Sequence, residues 1–153
     1  MQVSPTLGLS DHLGPLAGGL FFILVMSLVK EPTRQRFNAL FVAGTCGTYL
    51  AGGFGPWELV YPAIATVVVY RGLTSYRSIG LAWLMHAAWD LLHHFYGRPI
   101  WPFMPTSSWG CMLFDTVIAV WFLAGARSVF AWIWKGQTVP TGASRPAEPG
   151  RMT

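Results

Sequence analysis

Charged side chains are scarce in this chain. Lys, Arg, Asp and Glu together make up 10% of its 153 residues, against 53% hydrophobic ones. A domain with an ordinary hydrated surface carries about 25% charged residues, so the composition argues against such a surface. Cysteine is also rare. Cys46 and Cys111 are too few for a disulfide scaffold, and their separation matches no zinc motif. The formal charge is +4, yet the basic residues form no block, which argues against a nucleic-acid partner. Residues 1–13 contain neither Lys nor Arg, so no cleaved targeting segment is expected. Neither a nucleophilic Ser elbow nor a phosphate-binding glycine loop is present.

What is abundant points towards lipid. Eight Trp suit an interface where one edge meets apolar chains and the other meets water. Apolar runs over about 14–30, 37–53, 56–70, 77–96 and 107–125 (to 134 if the last continues along the interface) are the predicted spans. The third is short, and Glu58 and Pro62 weaken its first turns, so it is either a span or a re-entrant segment. Counting it as a span puts Lys30, Arg34, Arg36, Arg71, Arg77, Arg127, Lys135, Arg145 and Arg151 on one side. Arg98 alone lies opposite, as the positive-inside rule asks. The expected fold is therefore all-α: a polytopic membrane helix bundle of about five transmembrane helices, N-terminus out and C-terminus in. Residues 1–135 form the single helical domain, and the Gly-, Pro-, Thr- and Ala-rich residues 136–153 form a disordered cytoplasmic tail. The bilayer is the expected partner, and a homo-oligomer is an open alternative. Gly14 and Gly18 form a small-xxx-small pair suited to close helix packing.

Ionisable residues inside such a bundle are costly and face its interior or a cavity. His86, Asp90 and His93 fall within a wedge of roughly 60° on one helix, with His94 at its edge. A rise of about 1.5 Å per residue puts Asp90, Asp115 and His86 at comparable depths below the outer surface, with Glu58 near the level of His93 and His94. An outer-leaflet-level His/carboxylate cluster is the expected site. Three chemistries suit it. His86, Asp90, His93, His94 and Asp115 are candidate metal ligands, with imidazole and carboxylate donors favouring Zn or Fe. His86, Asp90 and Asp115 are candidate catalytic groups, with Asp90 orienting His86 for proton transfer. Titrating His and Asp also suit ion or proton translocation. Against all three stands a structural reading, in which buried His–Asp pairs hold helices together or serve a partner subunit. Whether the chain is an enzyme stays open.

The segment GRPIWPFMPTSSWG, residues 97–110, is stiff and amphipathic and is expected to lie over the cluster. Glu58, Arg98, Trp101 and Cys111 are the candidate substrate contacts, for a hydrophobic or amphipathic small molecule. Ser107 or Thr106 is a candidate cap for the fifth helix, and Asp11 and His12 for the first. Cys46 and Cys111 are at similar depth, either as free thiols, as a disulfide or as metal ligands.

Three stretches carry a family resemblance: GGFGPWELVYPAIA, YRGLTSYRSIGLAWLMHAAWDLLHHFYGRPIWPF and PTSSWGCMLFDTVIAVWFLAGARSVF. Residues 52–130 resemble domain of unknown function family 6010, small bacterial integral membrane proteins. The family's acid, histidines and following residues match at His86, Asp90, His93, His94, Gly97, Pro99, Cys111 and Asp115. The resemblance implies a multi-pass protein of a bacterial cell membrane and no activity.

Overall fold

Each of the five apolar runs becomes a helix, but with different ends. The computed structural model describes residues 5–131. Its helices are α1 (Leu9–Leu28), α2 (Thr33–Thr45), α3 (Trp57–Gly72), α4 (Tyr76–Tyr96) and α5 (Ser107–Leu123). The proposed tail at 136–153 lies outside the described residues.

The ends have local causes. At the start of α1, Asp11 Oδ2 accepts from the Gly8 N–H at 2.8 Å, and His12 Nδ1 donates to the Gly8 carbonyl at 2.9 Å. These bonds satisfy groups that a helix start leaves free. Ser75 caps α4 by accepting from the Ser78 N–H at 3.4 Å. The predicted side-chain cap on α5 is not made. Thr106 Oγ1 instead donates to Asp11 Oδ1 at 2.8 Å, and Ser107 Oγ accepts from the Trp101 N–H at 3.1 Å. One hydroxyl ties the 4–5 loop to α1 and the other ties that loop to the start of α5. The second helix stops at Thr45, and the chain turns through residues 46–56. Gly53 (φ +108°) and Gly55 (φ +59°) take conformations that side chains disfavour.

Helix α4 is the axis of the bundle. It packs against α2, α3 and α5, while α1 packs on α5 and touches α2 through Phe22 and Phe41. The core is built from Ala39, Val42, Ile79, Trp83, Ile118 and Phe122 with smaller neighbours. At the α4–α5 crossing a Cβ on Gly80 would lie 2.7 Å from Leu123 Cγ and 2.9 Å from the Leu123 nitrogen. Glycine is what permits this approach. The α1–α5 seam uses Gly19, whose added Cβ would meet Val117 at 3.0 Å. Gly14 has nothing within 4 Å, so the Gly14–Gly18 pair is not the packing seam.

The expectation of a polytopic bundle with five crossings is corrected. Among the described residues one helix, Leu9–Leu28, is long and apolar enough to cross a membrane, and it lies near the N-terminus. Helices α2, α3 and α5 have 13, 16 and 17 residues, short of the roughly 20 that a bilayer core requires. Helix α4 has the length but carries Arg77, His86, Asp90, His93 and His94. One of the counted charges also has a structural role. Arg34 is 7% exposed, donates to Glu31 and to the Tyr76 hydroxyl, and stacks near Trp121. It is a buried structural cation joining the start of α2 to α4 and α5, so it does not report orientation. The inferred topology, the bilayer as surround of the whole bundle, the hydrophobic or amphipathic small molecule expected from it and the multi-pass bacterial cell-membrane location lose their basis with the spans. Apolar residues also remain on outer faces, among them Leu20, Phe21, Leu59 and Val67. The high hydrophobic share is thus divided between core and exterior, and composition alone does not measure helix length.

Candidate metal centre

The site begins with two turns of α4. His86 and Asp90 are four residues apart, so their side chains lie on one face. That face meets α5 at Asp115. His86 is 3% exposed, Asp90 0% and Asp115 3%. His86 Nδ1 lies 2.6 Å from Asp115 Oδ2 and 3.3 Å from Asp90 Oδ2. One donor atom from each of the three residues lies within 4.8 Å of the others.

The other side of the imidazole decides what Nδ1 can do. His86 Nε2 is 2.8 Å from the Thr45 carbonyl. A carbonyl only accepts, so Nε2 carries the hydrogen. In the neutral ring Nδ1 is then a lone pair facing two carboxylates. That arrangement calls for a proton held between Nδ1 and a carboxylate, or for a metal ion. A backbone carbonyl fixing the outer nitrogen is the usual support for a ligating histidine. Asp90 is held too, since Tyr49 donates to Oδ1 at 2.7 Å. Its Oδ2 has no hydrogen-bond partner.

Electrostatics agree with a cation-seeking site. Burial opposes a charge on His86, but the hydrogen bonds and charges of Asp115 and Asp90 outweigh it and raise its pKa to about 11. Burial raises Asp115 to about 7 against the lowering influence of His86. The pair therefore retains a proton where free groups would release it.

A second His–carboxylate pair lies further along α4. His93 Nδ1 donates to the Trp89 carbonyl at 2.8 Å, and Nε2 lies 3.2 Å from Glu58 Oε1. The Phe54 N–H also donates to that oxygen, at 2.9 Å. Glu58 Oε2 is buried without a partner. Tyr49 stacks on His93 at 3.7 Å between ring centroids, so one tyrosine supports both pairs.

The structure thus divides the predicted set. It brings His86, Asp90 and Asp115 together. It places His93 with Glu58 instead. His94 packs on Trp109 and leaves Nδ1 unpartnered. Trp101 is exposed on the 4–5 loop. Both cysteines are free. Burial and the nearby Asp90 and Asp115 charges push the Cys111 thiol up to about 12, and burial also raises Cys46. Neither belongs to the cluster of His86, Asp90 and Asp115. The outer-leaflet placement is corrected, because the three residues sit deep among α2, α4 and α5 rather than at an end of the bundle. Thr45, Thr48 and Tyr49 were missed. Their signal was a polar i, i+3, i+4 pattern inside an apparent span.

The sequence profile of a family of unknown function, DUF6010, matches residues 10–128. The chain belongs to this family. The match takes in α1 and α2, which the sequence resemblance left outside its core. No curated protein and no solved structure matches the chain.

Proposed function

We propose that this DUF6010 member is a metal-binding helix bundle whose buried His86–Asp90–Asp115 triad takes one divalent transition ion, Zn or Fe. The ion ties α4 to α5 and, through the Thr45 carbonyl on His86, to α2. The observation that carries the reading is His86 Nδ1 turned towards two carboxylates while Nε2 is held by Thr45. One imidazole and two carboxylates suit Zn or non-haem Fe, and Asp90 Oδ2, 3.3 Å from His86 Nδ1, has no hydrogen bond to give up.

A second reading is favoured by one distance. The 2.6 Å contact between His86 and Asp115 is that of a charge-assisted hydrogen bond. Ligands sharing one ion stand about 3.3 Å apart, so these two must separate as the ion enters. Without an ion the triad is a protonated brace, a purely structural His–Asp cluster. Calorimetric titration of chelator-treated protein with Zn(II) and with Fe(II) under anaerobic conditions distinguishes them. The metal reading expects one site per chain, lost in His86→Gln and in Asp115→Asn. Uptake of neither ion leaves the protonated brace.

A further inference from the structure

The triad has a second boundary, towards a cavity. Residues 48–52 and 98–102 enclose a space of about 500 Å³. The two loops are joined where the Arg98 N–H donates to the Gly52 carbonyl at 2.8 Å. Gly52 stands directly over the second pair, since an added Cβ would lie 2.4 Å from His93 Nε2. Pro99 and Pro102 stiffen the opposite wall. Thr48 and Tyr49 line the cavity, and both reach the triad behind it. Thr48 Oγ1 is 3.4 Å from His86 Nε2, and the Tyr49 hydroxyl is bonded to Asp90.

Arg98 is the only charged residue among those lining this cavity, and the nearest carboxylate, Glu58, stands behind Gly52 and is engaged by His93 and the Phe54 N–H. Among the described residues the Arg98 guanidinium has no ion-pair or hydrogen-bond partner, although its own backbone is anchored. A fixed backbone beneath a free guanidinium is suited to forked recognition of an oxyanion. We infer that this cavity binds a small oxyanion, the carboxylate or phosphate of a small polar molecule, with Arg98 as its anchor and Thr48 and Tyr49 forming the wall shared with the triad. The shared wall gives the bound anion a direct contact with the residues that hold His86 and Asp90. That relation to the triad rests on the metal-site reading, while the anion site itself does not.

The test is calorimetric titration of the full chain with inorganic phosphate and, separately, with acetate, in metal-free and in Zn-treated protein. Sodium chloride of matched ionic strength serves as the control. Saturable binding of at least one anion is expected, weakened about tenfold or more in Arg98→Gln, as loss of a charge-assisted forked contact implies. Arg98→Lys should fall between the two. The substituted side chain is exposed and the backbone bond to Gly52 is kept, so circular dichroism should be unchanged. The anion with the tighter binding names the class. Heats no larger than those of the chloride control, or equal binding in Arg98→Gln, overturn the proposal. The metal-free arm is read without regard to whether the triad takes an ion, so the two failures are distinguishable.

Discussion

Replacing Asp115 by alanine tests the physical core of the site. The carboxylate is 3% exposed and meets His86 Nδ1 at 2.6 Å. Its removal leaves His86 to hold a buried charge against Asp90 at 3.3 Å or to release its proton. Losing one member of a buried ion pair costs about 3–5 kcal/mol, a large fraction of the roughly 5–15 kcal/mol that stabilises a domain. The pH dependence is a sharper signature. His86 has a folded pKa raised to about 11, above an unfolded value of about 6.5. Its contribution is therefore complete below about pH 6.5 and is lost as pH rises towards 11, by up to about 1.4 kcal/mol per unit. Asp115, raised to about 7 by burial, acts in the same direction at lower pH, its share disappearing between about 4 and 7. Urea denaturation of metal-free protein at about pH 7 and about pH 10 should show stability falling with pH in the native chain. Asp115→Ala should be less stable near neutrality and should have a flatter profile. A variant with the native midpoint, or with the native pH slope, refutes the reasoning.

Other consequences follow from the same geometry. A metal must displace the His86 proton, so Zn affinity should rise about tenfold per pH unit between about 7 and 9, measured by competition with a chelator of known affinity; a flat profile would mean that His86 is not a ligand. Tyr49→Phe removes the hydroxyl bonded to Asp90 at 2.7 Å and should cost about 1.5–3 kcal/mol in denaturation while keeping the His93 stack. Gly80→Ala places a methyl 2.7–3.0 Å from Leu123 and the Ala119 carbonyl, so α4 and α5 must part. A thermal scan should register at least about 1–3 kcal/mol of destabilisation, whereas Gly14→Ala, with nothing within 4 Å, should be neutral or stabilising.

The parts of the fold that depend on local periodicity were legible in the sequence. The five helical segments follow from the apolar runs, and the pairing of His86 with Asp90 follows from their i, i+4 spacing on α4. Asp115 was legible as a buried acid of comparable depth. The crossings were not, because a run such as 37–53 holds both a helix and a loop, and composition does not mark Thr45 as the stop. Arg34 looked like a loop charge because its partners, Glu31 and Tyr76, include one that is distant in sequence. Likewise nothing on α4 separates His93 from His86. That division is imposed by Glu58 and by the loop through Tyr49 and Gly52, contacts that exist only after the chain has turned.

X-ray absorption at the metal edge, on protein loaded with one equivalent of Zn, reads the ligands of the buried triad themselves. A shell of nitrogen and oxygen donors at about 2.0–2.2 Å is expected, including one imidazole and no sulfur, and it is lost in Asp115→Ala. A sulfur contribution near about 2.3 Å, or an unaltered shell in that variant, would place the ion elsewhere and contradict the metal reading.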